Sequence, residues 1–377
     1  MRLVFAISSL DMGGAQRVAV NLIREWQARG WTITLVVTYS GGGSASYYNI
    51  PAGVEVVYLA DLVKFRWGGR IARQICRVFA LRRLIKARQA DRVVAFVTDA
   101  NLFAIAASLG LGIKVIVSER NYPPAEGGSR FFGKARQLLY PYAERVVIQT
   151  RRGLEWVTRA IPTARGMAIA NPVVLPLPTN RPALDPAVLL DAETRLILAA
   201  GRLVPEKGFD VLIDAFASAC DRQSNWQLAI VGEGPERPAL EQRIAAVDMI
   251  GRVHLLGAAG NIADWYQRAQ IFTLTSYYEG FPNTLLEAMA HGCAVVSFDC
   301  DTGPADMIVT GENGLLLGRS PDPDKLAQAL IMLMTDDRQR QALADAARGV
   351  SRRFSMDAIL AQWDIALEIA PVQGEHV

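Results

Sequence analysis

The chain is poor in the residues that build metal sites and disulfide frameworks. It has 4 Cys and 3 His in 377 residues, and none of them stands at a CxxC or similar spacing. A structural zinc site or a network of disulfides is therefore not expected. No apolar run approaches about 18 residues, so we expect no transmembrane helix. The first residues, MRLVFAISSLDMGG, run into a glycine turn without a small-residue cleavage site. We therefore expect a cytoplasmic chain without a signal peptide.

Acidic residues are scarce in the first half of the chain. The net charge is +3, yet residues 1–174 hold 24 Lys and Arg against 10 Asp and Glu, whereas the remainder holds 16 against 27. A basic half of this kind favours an anionic partner, either nucleic acid or a membrane surface. Nine of the cations, and no acid, fall in residues 62–90: Lys64, Arg66, Arg70, Arg73, Arg77, Arg82, Arg83, Lys86 and Arg88.

Short apolar runs bounded by turns alternate with amphipathic stretches along the chain, a pattern typical of parallel sheets built from βαβ units. Because 377 residues exceed what one core usually organises, we expect two domains. The segment 171–182 holds four prolines and predicts the linker. We place a first domain at 1–172 and a second at 178–354, facing a cleft that would hold the ligand. Residues 355–377 are expected to form a last helix that crosses back to the first domain.

The strands follow from the apolar runs. In the first half they are predicted at 2–7, 32–38, 54–58, 92–97, 114–118 and 145–149. In the second half they are predicted at 195–199, 226–231, 253–256, 271–275 and 294–298.

The segment SYYEGFPNTLLEAMAHG, residues 276–292, combines two carboxylates, a tight turn and a helix start. Its proline suits a first helical turn, so a helix is predicted from Asn283. The free amides and positive dipole end of that helix favour an anion, most often phosphate. Asn283 and Glu287 share one helix face, and Glu279 lies on the preceding loop. Two carboxylates flanking a phosphate can each accept hydrogen bonds from hydroxyl groups, which indicates a nucleotide sugar. The alternative is a surface helix with two solvated acids.

Three other turns after predicted strands are rich in glycine. Gly13 and Gly14 lie in the turn that follows the first predicted strand, where glycine lets a backbone approach a phosphate. The alternative is a plain strand-to-helix turn. The second domain opens with AGRLVPEKG, whose Arg202 and Lys207 either converge on a diphosphate or remain solvated. The third turn is VGEGP, at 231–235.

These motifs together resemble glycosyltransferase family 4. The resemblance covers essentially the whole chain, and it implies the GT-B fold, an α/β fold of two Rossmann-like parallel-sheet domains facing a cleft. It further implies retaining transfer from a nucleotide-diphosphate sugar, with no cofactor and no obligatory metal. The residues that carry it are Arg202, Lys207, Gly232–Pro235, Glu279 with seven residues before Glu287, Gly292–Ser297 and Gly303–Pro304.

The resemblance assigns roles to individual residues. Glu287 would hold the ribose hydroxyls and Glu279 the hydroxyls of the donor sugar. Arg202 and Lys207 would neutralise the leaving diphosphate. The remaining donor-binding positions implied are Gly13, Gly14, Gly232, Glu233, Leu256, Gly280, Phe281, Asn283, Thr284 and Leu285, those from 281 to 285 acting through their amides.

In the first domain, the sequence SERN at Ser118–Asn121 is similar to bacterial transferases that extend lipid-linked oligosaccharides, including N-acetylgalactosaminyl transferases. This implies a polyprenyl-diphosphate-linked saccharide acceptor, with Glu119, Arg120 and Asn121 in its site. Many family members place a His after the fourth strand, where this chain has Asp99 instead. Asp99 could accept a bond from a sugar hydroxyl as a catalytic residue, or it could cap a helix.

The basic segment predicts a helix over 69–89, with Ile71, Ile75, Val78, Leu81 and Ile85 on its inward face. Its cations either form a solvated face or attach the protein to an anionic leaflet through Arg70, Arg73, Arg77 and Arg82. Nucleic acid is not expected, because no aromatic-basic motif for reading bases accompanies the charge.

We therefore expect a retaining transferase that uses a UDP-sugar, such as UDP-N-acetylgalactosamine or a related hexose donor, in polysaccharide assembly at the inner leaflet. One alternative is a nucleotide-sugar epimerase or hydrolase of the same fold. It would need an acid/base pair, for which Asp99, Glu119 and Glu126 are the candidates in the first domain. The other alternative is a binding protein without catalysis.

Overall fold

The computed structural model describes residues 1–11, 13–41, 46–63, 69–124, 130–220 and 225–369. The chain divides into two compact units. The first unit comprises Met1–Asn171 and Ile359–Val377, and the second comprises Pro172–Ala358.

The first unit is built on a parallel sheet whose described strands follow the order β3-β2-β1-β4-β5-β6-β7. Its strands are continuous apolar runs because helices cover both faces of a parallel sheet. The strands are β1 (Arg2–Ile7), β2 (Thr32–Val37), β3 (Glu55–Tyr58), β4 (Arg92–Phe96), β5 (Lys114–Ser118), β6 (Arg145–Ile148) and β7 (Gly166–Ala168). The helices are α1 (Gly14–Ala28), α2 (Leu59–Leu62), α3 (Arg70–Ala87), α4 (Thr98–Ser108), α5 (Arg130–Leu139) with a 3₁₀ turn at Tyr140–Tyr142, and α6 (Arg151–Ala160).

The second unit repeats this plan with a parallel sheet in the order β10-β9-β8-β11-β12-β13. The strands are β8 (Arg195–Ala200), β9 (Trp226–Val231), β10 (Val253–Gly257), β11 (Ile271–Leu274), β12 (Ala294–Phe298) and β13 (Leu315–Leu317). The helices are α7 (Pro186–Leu189), α8 (Phe209–Ala219), α9 (Arg237–Ala246), α10 (Ile262–Arg268), α11 (Asn283–His291), α12 (Pro304–Met307), α13 (Pro323–Thr335), α14 (Asp337–Ala347) and α15 (Val350–Arg353), with a 3₁₀ turn at Pro205–Lys207.

The last helix, α16 (Met356–Leu367), belongs for most of its length to the first unit. Its Trp363 is fully buried, stacks on Phe96 with ring centroids 5.7 Å apart, and meets Trp26 edge-on at 5.9 Å. Asp364 accepts a hydrogen bond from the Arg29 guanidinium at 2.7 Å. Aromatic packing and this ion pair therefore hold α16 against β4 and α1.

The predicted class of fold, two α/β domains with parallel sheets, is confirmed. The inward face predicted for α3 is partly wrong. Leu81 and Ile85 are buried as expected, but Ile71 and Ile75 are 76% and 51% exposed. The first turns of α3 therefore present apolar side chains to solvent. Within the described ranges, no helix combines the length and the apolar character needed to span a bilayer.

Candidate active site

The loop after β8 is held by backbone contacts with the loop after β9. Gly232 has a φ of 149°, and a Cβ at this position would lie 1.8 Å from the carbonyl oxygen of Gly201. The Leu203 amide donates to the carbonyl of Glu233 at 3.0 Å. A side chain at 232 would force the two loops apart, so packing alone requires this glycine. The loop that carries Arg202 and Lys207 is thereby fixed at the carboxyl edge of the sheet.

An ion pair joins this loop to the one after β11. Lys207 Nζ lies 2.6 Å from Glu279 Oε1, and the Ser276 hydroxyl donates to the same oxygen at 2.6 Å. The Thr302 hydroxyl, after β12, donates to the backbone carbonyl of Glu279. Three loops at one sheet edge therefore meet at Glu279. Ser276 and Thr302 were not predicted, because a hydroxyl-bearing side chain in a loop gives no distinctive sequence signal.

The approach of these two loops depends on Gly208, which follows Lys207. Its φ of 60° is left-handed, and a Cβ there would lie 2.5 Å from the carbonyl oxygen of Thr275. The Thr275 hydroxyl donates to the carbonyl of Lys207 at 2.8 Å, and the Tyr277 amide donates to the carbonyl of Glu206 at 2.9 Å. Any other residue at 208 would meet both conformational strain and a clash.

Helix α11 begins at Asn283 as predicted, directly after the Glu279 loop. Its Glu287 is 4% exposed, and the Tyr266 hydroxyl donates to Glu287 Oε2 at 3.3 Å. His291 Nδ1 lies 2.8 Å from the Glu287 carbonyl, one turn further along the helix. The carboxylate is therefore oriented from α10 by a buried tyrosine that the sequence did not indicate.

The other donor-site residues of the second unit lie around this centre in different states. Arg202 is exposed, and no ion pair of its side chain occurs with any described residue. Glu233 forms a salt bridge with Arg237 at 2.7 Å. The side chains of Phe281 and Leu285 are buried, so only their backbone could face a ligand. The remaining positions, Leu256, Gly280, Asn283 and Thr284, are half-buried.

The amide of Leu285 already has an acceptor. It donates to the carbonyl of Pro282 at 3.1 Å, within the first turn of α11. An anion at this helix end would therefore meet the amides closer to the start of the helix.

In the first unit, Gly13 precedes α1 and both of its backbone polar groups are engaged. Its amide donates to the Tyr48 hydroxyl at 3.2 Å, and the same hydroxyl donates to the Gly13 carbonyl at 2.9 Å. The turn at Gly13 is thus held by a tyrosine 35 residues away, which the sequence pattern did not indicate. Gly14 is the first residue of α1 and is exposed.

The turn between β4 and α4 contains a conformational outlier. Val97 has a φ of 74°, a region that β-branched residues rarely adopt, and its amide donates to the Ser118 carbonyl at 3.0 Å. Such strain concentrates at functional sites. Helix α4 begins at Thr98, with Val97 at the N-cap position, so Asp99 lies within the first turn. The alternative that Asp99 caps this helix is therefore wrong.

Glu119 belongs to a buried polar network, which corrects its expected place in the acceptor site. Its side chain is 1% exposed and accepts from Arg136 Nε at 2.8 Å, from the Thr98 hydroxyl at 2.9 Å and from the Tyr140 hydroxyl. Asn101 donates to the Tyr140 oxygen at 3.3 Å. All these partners come from α4, α5 and the turn after α5. The carboxylate of Glu119 is therefore occupied internally and is not available as an acid or a base for substrate.

Burial and charge act in opposite directions in this network. Burial would lower the pKa of Arg136, but the charge of Glu119 and its hydrogen bond outweigh burial and raise it. The pKa of Tyr140 is raised well above its usual value, first by burial and then by the neighbouring Glu119 charge. Arg136 is therefore charged and Tyr140 neutral throughout the physiological range.

Arg120 and Asn121 follow at the same edge of the sheet. Arg120 is buried and Asn121 is exposed. The third acid considered in this domain, Glu126, lies outside the described residues. Across the described ranges, no group of three or more His, Cys, Asp or Glu side chains is arranged to hold a metal ion.

Comparison with known proteins finds a matching family model for each of the two units. Residues 13–172 match the model "Glycosyl transferase 4-like domain", and residues 180–350 match "Glycosyl transferases group 1". The sequence is 25% identical to an α-1,4-N-acetyl-D-galactosaminyltransferase of Campylobacter jejuni, over 96% of this chain and 97% of that protein. The acceptor in that protein's name is a saccharide linked to undecaprenol through PP.

One further relative is similar in sequence, and one solved structure is similar in fold. The chain is 32% identical to an exopolysaccharide phosphotransferase of Streptomyces coelicolor over 74% of its own length, but it spans only 28% of that relative. The crystal structure of HepE from Anabaena in complex with UDP superposes with a TM-score of 0.81 at 20% identity, covering 98% of this chain and 100% of the other. The second likeness is one of fold.

The Glu119 network makes a prediction about stability. Glu119→Ala would leave the Arg136 guanidinium buried without its counter-charge, and breaking a buried pair in this way costs about 3–5 kcal/mol. We expect urea unfolding followed by circular dichroism to show a loss of that size. Glu155→Ala is the control, because its pair with Arg159 is exposed and worth less than about 1 kcal/mol. Equal losses in both variants would contradict the buried pair.

Proposed function

We propose, because the chain belongs to the GT-B glycosyltransferases, that it is a retaining enzyme. It would move a sugar from a UDP-sugar to a saccharide carried on a lipid diphosphate. UDP-N-acetylgalactosamine or a related hexose donor is the proposed substrate, and surface polysaccharide or glycan assembly is the proposed setting.

The observation that carries this proposal is the meeting of Lys207 and Glu279, 2.6 Å apart, in front of the helix that bears the buried Glu287. The donor phosphates would bind between the cationic loop and the start of α11, where amides and a helix dipole favour an anion. Glu279 would accept bonds from the donor sugar and Glu287 from the ribose. The Lys207 pair would orient Glu279 before any substrate arrives.

The proposed chemistry uses no enzymatic nucleophile. A donor phosphate oxygen would take the proton of the acceptor hydroxyl on the same face from which the diphosphate departs. Arg202, Lys207 and the start of α11 would stabilise the charge that develops on the diphosphate. Because Arg202 is exposed and without an ion pair to the described residues, its guanidinium can reach the phosphates without breaking an existing contact. We propose that these protein cations replace a metal ion.

The lipid-linked acceptor is proposed from two observations. The residues Ser118–Asn121 resemble those of transferases that extend lipid-linked oligosaccharides, and the Campylobacter relative, similar over nearly its full length, is named for such an acceptor. An epimerase or hydrolase would need an acid/base pair in the first unit. The internal engagement of Glu119 removes one of its three candidates.

The test is product analysis with radiolabelled UDP-sugars and a short-chain prenyl-diphosphate saccharide. We expect the label to move to the acceptor with retention of anomeric configuration, in the presence of a chelator. Arg202→Ala and Lys207→Ala should each lower kcat by at least about ten-fold, because each removes stabilisation of developing charge. Lys207→Ala should lower kcat further than Arg202→Ala does, since it also removes the ion pair that orients Glu279.

Arg338→Ala, an exposed cation of the same unit, is the control and should keep wild-type activity. Isomerised or hydrolysed donor with no transfer would contradict the proposed reaction. A strict requirement for magnesium would contradict the proposal that the two cations replace a metal. Transfer of a sugar phosphate would instead assign the chain the activity named for its Streptomyces relative.

A second prediction concerns the ribose. Glu287→Ala should weaken the binding of UDP itself by about 1–3 kcal/mol, because the ribose hydroxyls lose a buried acceptor. Isothermal titration calorimetry with UDP measures this directly. Glu312→Ala removes an exposed carboxylate of the same unit and should not change the affinity. If the two variants bind UDP equally, Glu287 does not hold the ribose.

Attachment to the inner leaflet of the cytoplasmic membrane is proposed from α3. Its exposed Ile71, Ile75 and Phe79 recur every four residues, so they form one stripe on the helix. About one and two turns beyond Phe79, respectively, Arg83 and Lys86 are exposed as well. An amphipathic helix of this kind binds an anionic leaflet through apolar insertion and charge.

The cations proposed for attachment need revision. Arg82 donates to the carbonyls of Ala107 and Leu109 at 2.9 and 2.6 Å, so it closes the end of α4 instead of facing outward. Arg77 lies 4.8 Å above the Tyr39 ring. Lys64, Phe65, Arg66 and Trp67 lie outside the described residues, as does the Arg70 side chain. Arg88 is exposed but pairs with Glu55. Arg73, Arg83 and Lys86 are the exposed cations that remain.

We therefore expect neutralisation of Arg73, Arg83 and Lys86 to Gln to weaken binding to anionic vesicles by about 3 kcal/mol, at about 1 kcal/mol for each charge. Co-sedimentation with phosphatidylglycerol vesicles measures it, and rising salt should weaken wild-type binding. The control neutralises three exposed cations of the second unit, Arg319, Arg338 and Arg352. Salt-independent binding, or equal loss in the control, would show that α3 is a solvated face.

A further inference from the structure

Arg120 is a buried cation that has no carboxylate among its hydrogen-bond acceptors in the described ranges. It is 6% exposed, and its acceptors are neutral: the Ser118 hydroxyl, at 3.3 Å from Nη1, and the side-chain oxygen of Asn171. Its Nε–H has no acceptor among the described residues. Burial lowers the pKa of this guanidinium to about 9. The charge is therefore poorly solvated in the free protein.

The neighbouring carboxylate cannot compensate this charge. The Glu119 amide donates to the Val147 carbonyl at 2.9 Å, so the strand-like course of the chain continues past β5. Successive side chains of an extended chain point to opposite faces of the sheet. Glu119 accordingly meets Arg136 on one face, whereas Arg120 lies over the Phe96 ring at 4.3 Å. The two charged side chains therefore lie on opposite faces of the sheet.

The Phe96 ring and two neutral oxygens offset only part of the cost of burying a guanidinium. A ring beneath a cation stabilises it less than the loss of its solvation destabilises it when no counter-ion is present. The acceptors themselves are fixed, because Gln149 also donates to the Asn171 oxygen at 3.0 Å. The guanidinium is thus held rigidly. Its Nε–H, which has no acceptor among the described residues, suits an anion.

We propose that Arg120 binds an oxyanion of the acceptor substrate, through Nε and an adjacent Nη. Arg120 follows β5, at the carboxyl edge of a parallel sheet, where ligands of such folds bind. A guanidinium presents two parallel N–H groups that match the oxygens of a phosphate or a carboxylate. This inference rests on the proposed function for calling the ligand an acceptor. The oxyanion comes either from the diphosphate that links saccharide to lipid or from the carboxylate of an acidic sugar.

The experiment titrates two probes, inorganic diphosphate and glucuronate, into protein saturated with UDP, so that the phosphate site of the second unit is already filled. Calorimetry is run on the wild type, Arg120→Gln and Arg24→Gln, the last an exposed arginine of the same unit. We expect one probe to bind the wild type and Arg24→Gln alike, and to bind Arg120→Gln at least about ten-fold more weakly. Diphosphate as that probe identifies the lipid linkage, and glucuronate an acidic sugar.

Arg120→Lys protects the test against a folding defect, because it keeps the charge and loses Nε. With an unchanged urea-unfolding curve as evidence of an intact fold, it should bind the probe more weakly than the wild type. If neither probe binds the wild type, or if the Arg120 variants bind as tightly as the wild type, the oxyanion site is wrong even though UDP binding and transfer persist. If UDP does not bind or no sugar is transferred, the proposed function fails instead.

Discussion

The contact between Lys207 and Glu279 is the interaction on which the second unit's candidate site depends. It joins the loops after β8 and β11, and it forms only because Gly208 lets one backbone reach the other. The Thr302 hydroxyl then ties a third loop to the Glu279 backbone. Without the ion pair, the Glu279 carboxylate would keep the Ser276 hydroxyl as its donor but would lose its link to the loop after β8. With it, the carboxylate and the start of α11 are oriented before a ligand binds, which is the condition for fast chemistry.

The buried charges of the first unit differ in their partners. Glu119 and Arg136 are neutralised within the fold and brace the strained turn at Val97 through the Thr98 hydroxyl. Arg120, the next residue after Glu119, has only neutral hydrogen-bond acceptors within the described part of the chain. A folded protein tolerates such a cation when another source of stability offsets it, or when a ligand supplies the anion. Glu119 is therefore a structural charge with a paired cation. The adjacent Arg120 is a charge whose counter-ion a ligand could supply.

Much of the fold and of the second unit's site could be predicted from sequence because both depend on local signals. Strands such as β9 and β12 are apolar runs with a single polar residue each. Glu279, Pro282 and Glu287 predict a loop and a helix within nine residues. The short strands β7 and β13 were missed because three residues carry no periodicity. Ile71 and Ile75 were placed inward because a helical repeat shows which residues share a face, but not how far along the helix that face is covered.

The errors in the first unit have a different cause. The place of Glu119 is decided by Arg136, Tyr140 and Thr98, which lie 17, 21 and 21 residues from it along the chain. No local sequence pattern indicates such partners. The proposed donor site of the second unit uses backbone geometry that leaves glycines and carboxylates at fixed spacing in the sequence. The proposed acceptor site of the first unit depends instead on long-range pairing of single charges. The buried Arg120 is therefore the residue from which to seek the acceptor.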